Sequence, residues 1–186
     1  MPRTFIGWPL PEAARLRIEA STAGLRRRLP RASWTRPETY HLTFAFLGET
    51  EEETILQLGD KLVETFRTAS PATASIGAAG FFPSDRRPRI GWLGLQYPEE
   101  VEHLASIVRR VLAEENVEFD EKPFRPHVTI VRPKARWRRR DAETLVHALE
   151  PLQGDPLLVD SITLFESRLD SRGARHVPRV IADCGA

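Results

Sequence analysis

Two short segments of this chain, Tyr40–Phe46 and Phe124–Arg132, constrain its fold more than any other part of the sequence. Both are rich in β-branched and aromatic residues, which is typical of β-strands, and in both a histidine is followed two places later by a threonine. The pairs are His41 with Thr43 and His127 with Thr129. Because successive side chains of a strand point to opposite faces, each histidine shares a face with its threonine. Each strand therefore presents an imidazole beside a hydroxyl, while the apolar residues between them point into a core.

Chance does not account for two such pairs. Five histidines in 186 residues, taken with the threonine frequency, predict only about 0.35 His-x-Thr triplets. A single triplet on a strand is more often an accident of the core or surface than a site. The other histidines lack a threonine at this spacing: His103 and His147 lie in helical patterns, and His176 lies at the start of a terminal strand. Two triplets in matching contexts therefore indicate a functional site.

The composition is that of an ordinary globular protein without a strong charge. Hydrophobic residues make up 41% and charged residues 28% of the chain, and the net charge is +1, which is too small for a broad grip on nucleic acid. The single cysteine, Cys184, excludes internal disulfides and cysteine-cluster metal sites and fits a reducing cytosol. No apolar stretch approaches the roughly 18 residues of a membrane span. We therefore expect a cytoplasmic protein that is neither targeted nor membrane-bound.

Hydrophobic periodicity and turn signals divide the chain into alternating strands and helices. Besides the second histidine strand, predicted strands cover Thr4–Trp8, Tyr40–Leu47, Ala72–Ala79, Arg89–Leu95, Leu157–Phe165 and Arg175–Asp183. Predicted helices run from Pro11 to about Leu29, from a capping box at Thr50 to about Phe66, from Glu99 to about Glu115, and over Arg138–Leu149. Predicted loops and turns cover Pro30–Pro37, Gly80–Pro88, Asn116–Pro126 and Ser171–Gly173.

The two halves of the chain repeat one order of elements. Each half has a helix, a loop, a His-x-Thr strand, another helix and two strands. This repeat predicts two pseudo-symmetric lobes that face each other across a central cleft, a place where ligand sites commonly form. We expect an α+β fold, organised as a single bilobal domain over residues 1–186, with two mostly antiparallel sheets and helices on their outer faces.

The residue types of the two pairs favour general acid–base catalysis. A metal site would usually add a carboxylate or cysteine ligand at close spacing, and neither histidine strand supplies one. Nucleophilic catalysis would want a serine or cysteine beside a base, and both are missing from these strands. Two imidazoles with an ordinary pKa near 6.5 can divide the roles of acid and base near pH 7. Threonine hydroxyls can donate to phosphate oxygens, so the set fits metal-free opening of a cyclic phosphodiester.

Both motifs resemble those of a known family. The stretches from Tyr40 to Glu49 and from Arg125 to Arg132 are similar to the paired motifs of the two-histidine phosphoesterase superfamily. Within it, the chain most resembles the LigT-like RNA 2′,3′-cyclic phosphodiesterases, first described as 2′-5′ RNA ligases. The resemblance covers nearly the whole chain and extends to Phe5–Pro11, Gly80–Pro83, Trp92–Leu95, Leu164–Ser167 and Gly173–Arg175.

The resemblance implies a role for each residue of the two pairs, with no cofactor and no metal. His41 would be the general acid that protonates the departing O3′ of a ribose 2′,3′-cyclic phosphate. His127 would be the general base that activates water, which leaves a 2′-phosphomonoester. Thr43 and Thr129 would hold the phosphate oxygens.

Two further residues implied by the resemblance conflict with simple strand geometry. Phe46 would stack on the terminal nucleobase, an interaction worth about 1–3 kcal/mol in single-strand binders, and Arg132 would help to neutralise the phosphate. Strict alternation places both on the face opposite their histidines, so each needs a bulge, a strand end or a long reach. Pro133 makes a strand end plausible after Arg132. The alternatives are a core phenylalanine and a surface arginine.

The run Arg136–Arg140 follows the second motif and contains Trp137. It could touch an RNA backbone, with Trp137 stacking on a base. The alternative, which short charge runs favour, is a solvated helix start.

Two functions from different classes remain open. The first is a metal-independent RNA 2′,3′-cyclic phosphodiesterase, with ATP-independent 2′-5′ ligation as its reverse direction, acting as a monomer on RNA ends or nucleoside 2′,3′-cyclic phosphates. The second is a non-catalytic module that binds RNA ends or nucleotides in the same cleft. Intact histidines in both motifs favour the enzyme, because binding alone would not require two titrating groups. The absence of nucleotidyl-transfer and Gly-x-x-x-x-Gly-Lys motifs argues against ATP-driven ligation.

Overall fold

The computed structural model describes residues 1–96, 98–170 and 173–186. The strands are β1 (Arg3–Pro9), β2 (Ala32–Trp34), β3 (His41–Glu49), β4 (Ala72–Ser84), β5 (Arg87–Gln96), β6 (His127–Pro133), β7 (Pro156–Val159), β8 (Ser161–Asp170) and β9 (Gly173–Asp183). The helices are α1 (Glu12–Thr22), α2 (Leu25–Arg28), α3 (Glu52–Phe66), α4 (Glu99–Glu114) and α5 (Arg139–Leu149). Short 3-10 helices lie at Pro37–Thr39 and Glu150–Leu152.

The two histidine strands, β3 and β6, are neighbours at the centre of one antiparallel sheet. In the described part of the chain the strand order is β7-β4-β5-β6-β3-β1-β8-β9, and β2 also pairs with β6. β3 and β6 meet where Leu42 pairs with Val128. The predicted α+β class with antiparallel strands is confirmed. The two predicted sheets are in fact continuous, because this central pair joins them into one.

The connection between β7 and β8 shows that the sheet is curled. Only Asp160 separates Val159 at the end of β7 from Ser161 at the start of β8, so the Cα atoms of these two residues are at most about 7.6 Å apart. In a flat sheet the two strands would be six spacings, or about 29 Å, apart. The sheet therefore curves into a half-barrel, which brings its outer strands together at this end.

The lobes do not coincide with the halves of the sequence. β4 and β5 follow β3 in the chain, yet they extend the sheet from β6. β8 and β9 follow β6, yet they extend the sheet from β1 on the side of β3. Each histidine strand is thus supported largely by strands from the other half of the sequence. Neither half can complete its own sheet alone.

Amphipathic helices cover the sheet. α3 packs on β8 and β9 with a buried stripe at Ile55, Leu58, Leu62 and Phe66, the three- and four-residue spacing of one helix face. α5 packs on β4 and β5, and α4 contacts β3 and β4. Among the described residues, no helix combines the length and the apolar character needed to cross a membrane.

Two of the predicted helix boundaries are wrong. The first predicted helix is divided into α1 and α2 by a turn at Ala23 and Gly24, where glycine has a low helix propensity. The predicted capping box at Thr50 does not form. Thr50 Oγ1 is hydrogen-bonded to Thr4 Oγ1 (2.7 Å), and α3 begins after Glu51 without a side-chain cap.

Several strands also differ from their predicted bounds. β4 and β5 continue through the predicted loop Gly80–Pro88 to a tight turn, and β2 lies within the predicted loop Pro30–Pro37. The stretch Leu157–Phe165, predicted as one strand, is divided at Asp160 between β7 and β8, on opposite sides of the sheet. Of the predicted turn Ser171–Gly173, the first two residues lie outside the described part of the chain.

Candidate active site

A register shift in β3 changes the face that its later side chains occupy. Two consecutive residues of β1 pair with Thr43 and Ala45, so Phe44 between them is an extra residue. Such a β-bulge reverses the alternation of side chains beyond it. Phe44 and Ala45 are accordingly both buried, and Phe46 returns to the face of the histidine with 55% of its surface exposed.

β6 has the same shift at the equivalent position. Two consecutive residues of β5 pair with Thr129 and Val131, so Ile130 is the extra residue. Ile130 and Val131 are both fully buried, and Arg132 is exposed on the face of the histidine. In both strands the bulge lies three residues after the histidine, and the side chain five residues after it reaches the same face.

The structure brings all six predicted site residues to one cleft of about 710 Å³. These residues are His41, Thr43, Phe46, His127, Thr129 and Arg132. The two bulges resolve the conflict between motif and strand alternation. Phe46 is not in the core, and Arg132 faces the cleft.

The central strand pair determines how the two motifs face each other. Leu42 lies between the polar residues of the first motif, and its partner Val128 lies between those of the second. Because the strands are antiparallel, His41 lies on the Thr129 side of this pair and His127 on the Thr43 side. Each imidazole is therefore next to the hydroxyl of the opposite strand.

Both imidazoles are oriented by the same kind of hydrogen bond. His41 Nδ1 is 2.7 Å from the Thr39 carbonyl oxygen, and His127 Nδ1 is 2.6 Å from the Arg125 carbonyl oxygen. A carbonyl can only accept, so each Nδ1 carries a proton and donates it. This leaves Nε2 of both rings as the nitrogen available for proton transfer.

The family model described as "2'-5' RNA ligase superfamily" matches residues 10–171, most of the chain and both histidine strands. The chain belongs to the 2′-5′ RNA ligase superfamily. This confirms the resemblance on which the sequence-based interpretation rests.

Relatives of known name cover between 72% and 98% of this superfamily member. The RNA 2′,3′-cyclic phosphodiesterase of Thermotoga maritima is 27% identical over 98% of this chain and 94% of its own. That of Methanothermobacter thermautotrophicus is 28% identical over 92% of each. That of Thermus thermophilus is 34% identical over 72% of this chain and 69% of its own.

Solved structures share the fold. A crystal structure of a Thermus thermophilus protein has a TM-score of 0.77 and 25% identity, over 99% of this chain and 98% of its own. Escherichia coli LigT complexed with 3′-AMP also has a TM-score of 0.77, with 23% identity over 100% of this chain and 99% of its own. The half-barrel is thus the fold of these proteins.

The cleft of this superfamily member disfavours positive charge on both catalytic candidates. Burial lowers the pKa of His41, and the nearby charges of His127 and Arg132 lower it further, while the hydrogen bond to the Thr39 carbonyl opposes them. Burial also lowers the pKa of His127, and the Arg132 guanidinium adds to this effect against the bond to the Arg125 carbonyl. Both rings are therefore neutral in the free protein near pH 7.

His176 is a site residue that the sequence interpretation missed. It lies within β9, lines the cleft, and its ring centroid is 4.8 Å from that of His41. Burial, with the charges of His41 and Arg36, lowers the pKa of His176 to about 4. The sequence carries no signal for this contact, because His176 lacks a threonine partner and lies 135 places after His41. Only the exchange of strands between the lobes brings β9 to the first histidine.

Arg36 and Trp34 also line the cleft, from the segment predicted only as the loop that delivers the first histidine strand. An Arg36 guanidinium nitrogen donates to the Ala174 carbonyl (2.6 Å), which ties this segment to β9. Trp34 belongs to β2 and pairs with Val131 of β6. The signal in the sequence was weak, because three residues of strand between two prolines do not produce a clear alternation.

The basic run Arg136–Arg140 leads into the first turn of α5. This agrees with the helix start that is typical of short charge runs. Trp137 is buried and its indole N–H donates to the Pro30 carbonyl (3.1 Å), so it is not available for stacking. Arg139 is paired with Glu143 (2.7 Å), and the Asp141 carboxylate accepts from the Arg138 backbone N–H (2.7 Å). These contacts stabilise the first turn of α5.

A second hollow, of about 500 Å³, lies between α3 and α4 and contains none of the six site residues. Its cations already have partners, since Lys61 pairs with Glu64 (3.1 Å) and Arg110 with Glu114 (3.8 Å). The six site residues all lie in the cleft instead, and we place the site there. The described residues contain no cluster of three or more histidine, cysteine or acidic side chains placed to hold a metal ion.

We predict that the protein loses stability as the pH falls from about 7 to about 5.5. The pKa values of His41, His127 and His176 are all lowered in the folded state, so the unfolded chain takes up protons in this range that the folded protein does not. The free energy of unfolding should then decrease with falling pH. Urea titrations at several pH values measure it.

The control is His176→Phe, which removes one of these groups and should make the decline shallower. A free energy of unfolding that stays level or rises as the pH falls through this range would contradict the three lowered pKa values.

Proposed function

We propose that this chain is an RNA 2′,3′-cyclic phosphodiesterase that hydrolyses ribose 2′,3′-cyclic phosphate ends to 2′-phosphomonoesters. The observation that carries the proposal is the pair of imidazoles in one cleft, each anchored at Nδ1 and each beside a threonine hydroxyl. The superfamily, and the relatives named RNA 2′,3′-cyclic phosphodiesterase, support it. A binding module would not need two titrating groups held in matching orientations.

The proposed reaction needs one base and one acid. His127 Nε2 accepts a proton from water, whose oxygen attacks phosphorus while the bond from phosphorus to O3′ breaks. His41 Nε2 donates its proton to O3′, so the product is a 2′-phosphomonoester with a free 3′-hydroxyl. Burial and, to a smaller extent, the charge of Arg132 on the same strand lower the pKa of His127, which favours the neutral base there.

Binding of the substrate is proposed to raise the pKa of His41. In the free protein its pKa is lowered by burial, so few molecules carry the acid near neutral pH. A phosphodiester anion in the cleft stabilises the imidazolium and raises this pKa. Binding therefore prepares the acid, and its otherwise low pKa makes it a ready proton donor.

The phosphate is proposed to lie between the two motifs, with Thr43 and Thr129 donating to its non-bridging oxygens. Each hydroxyl lies beside the imidazole of the opposite strand, so the two hydroxyls together can reach oxygens on both sides of the phosphorus. Arg132 adds a positive charge with planar donor geometry, which suits a phosphate whose charge grows during attack.

Phe46 is proposed to receive the terminal nucleobase. It is among the few large apolar side chains that are more than half exposed, and it lies at the cleft beside Phe5 (ring centroids 6.0 Å). An exposed aromatic ring at a ligand site offers a stacking face to any base, worth about 1–3 kcal/mol.

If a 5′-hydroxyl takes the place of water, its oxygen attacks the phosphorus of the 2′,3′-cyclic phosphate while the bond from phosphorus to O3′ breaks and O3′ takes the proton, which forms a 2′-5′ linkage without ATP. We propose this ligation, whose reverse is cleavage of a 2′-5′ linkage, as a secondary activity. We further propose that residues 1–186 act as a monomeric, single bilobal domain in the cytoplasm, with RNA ends or nucleoside 2′,3′-cyclic phosphates as substrates. The shared central sheet supports the single domain, since each lobe depends on strands from both halves.

We predict that His41→Ala and His127→Ala each remove nearly all hydrolysis of a nucleoside 2′,3′-cyclic phosphate, and that the double variant is little worse than either. The reason is that an acid and a base acting in one step are not additive. Wild-type turnover should persist in the presence of chelator and follow a bell-shaped pH profile. The measurement is the initial rate of phosphomonoester formation.

The matched control is His147→Ala, since His147 lies on α5 outside the cleft and bonds to Glu150. This variant should retain wild-type rates. A folded protein that binds the cyclic phosphate without turning it over would instead support the binding module.

A second prediction concerns Arg132. Arg132→Ala should reduce kcat by on the order of 10–1000-fold, a loss of about 1.4–4 kcal/mol, with a smaller effect on KM. Arg132→Lys should recover only part of the activity, because an ammonium lacks the planar two-pronged donor geometry. Arg136→Ala is the control, because Arg136 is exposed outside the cleft. Near-normal kinetics in a folded Arg132→Ala protein would remove this residue from the site.

A further inference from the structure

The proposed acid, His41, forms a nearly equilateral triangle with two other aromatic rings, those of His176 and Phe5. The ring centroids of His41 and His176 are 4.8 Å apart, those of Phe5 and His41 4.9 Å, and those of Phe5 and His176 4.9 Å. His176 meets His41 edge to face, at an interplanar angle of 78°. Edge-to-face contacts at this spacing are favourable and resist rotation of the rings.

The other imidazole has an equivalent neighbour of different chemistry. Phe82 meets His127 edge to face, with centroids 5.0 Å apart and an interplanar angle of 87°. In both motifs a hydrogen bond anchors Nδ1 and a perpendicular ring restrains the plane of the imidazole. On the His127 side that ring cannot titrate. On the His41 side it is a histidine.

We infer that His176 is a positioning residue for His41: its ring holds the His41 imidazole in the orientation that proton donation needs, and it does so without becoming charged beside it. The inference rests on the proposed function in taking His41 as the general acid. It goes further in assigning a purpose to a histidine outside both motifs.

The surroundings of His176 keep it neutral. Burial, with smaller contributions from the charges of His41 on β3 and Arg36 before the 3-10 helix, lowers the pKa of His176 to about 4. Arg36 is fixed there by its hydrogen bond to the Ala174 carbonyl (2.6 Å) on β9. The other charged or titratable side chains of the cleft are those of Arg3, Asp120, His127 and Arg132.

The hydrogen bonding of His176 agrees with a neutral ring. Its Nδ1 is buried and has no partner among the described residues. A protonated imidazole would bury an N–H donor there without an acceptor, which costs free energy. A neutral ring with its lone pair at Nδ1 avoids most of that cost. His176 can therefore stay beside a protonated His41 without adding a second positive charge.

The test compares His176→Phe, His176→Ala and His176→Lys in the full chain, by NMR titration of His41 and by pH–rate profiles with a nucleoside 2′,3′-cyclic phosphate. His176→Phe keeps an uncharged ring, so the pKa of His41 should stay at its wild-type value and kcat should remain within about twofold of wild type. His176→Ala frees the imidazole and should lower kcat at least about tenfold with little change in KM.

His176→Lys places a charge beside the acid, so it should lower the pKa of His41 and move the alkaline limb of the kcat/KM profile to lower pH. The mirrored control is Phe82→Ala, which should alter the titration of His127 and leave that of His41 in place. If His176 were merely structural, replacing it would lower the stability in urea without changing the pKa of His41.

Two results would overturn the inference. One is a His176→Phe protein as impaired as His176→Ala, because the nitrogen atoms of His176 would then be required. The other is unchanged His41 titration and kcat in folded His176→Ala and His176→Lys proteins. If the wild type turns over no cyclic phosphate, the proposed function fails, but the NMR titration of His41 in the free protein still decides whether His176 controls its orientation and charge.

Discussion

The site depends on the pairing of Leu42 with Val128, which joins the two lobes at the centre of the sheet. Both side chains are buried, and the polar residues of each motif lie directly before and after them. Because the pair lies midway between the motifs, it acts as an approximate two-fold axis for the cleft. Any change that separates β3 from β6 would move the two imidazoles apart together with their threonines. Each lobe takes outer strands from both halves of the chain, so neither lobe can form without the other half. This exchange of outer strands helps to keep β3 and β6 paired.

The bulges then determine which side chains reach the cleft. An extra residue three places after each histidine brings the side chain at the fifth place to the same face. The two-fold relation is broken at that place, where one strand carries Phe46 and the other Arg132. We interpret this difference as two separate binding roles, in which Phe46 would contact the nucleobase and Arg132 the phosphate charge. The edge-to-face neighbours differ in the same way, as His176 accompanies His41 and Phe82 accompanies His127.

Local pattern was enough to predict the motifs, because alternation and the His-x-Thr spacing are properties of a few adjacent residues. It also gave the α+β class and most helices. It could not give the bulges, since these depend on how β1 and β5 pair with the histidine strands. It could not separate β7 from β8, because the strand-like stretch Leu157–Phe165 hides a change of partner at Asp160. It missed His176 for the same reason. That contact exists only after β9 has joined the lobe of the first motif, 135 places from His41 in the sequence.

The division of labour between the two histidines is tested most directly with a cyclic substrate in which sulfur replaces the bridging O3′. A thiolate leaves without needing a proton, so loss of the general acid should matter little while loss of the base still should. With a wild-type protein that cleaves this analogue, His41→Ala should regain most of the wild-type rate and His127→Ala should remain impaired. Rescue of His127→Ala instead, or of neither variant, would contradict the assignment of His41 as acid and His127 as base.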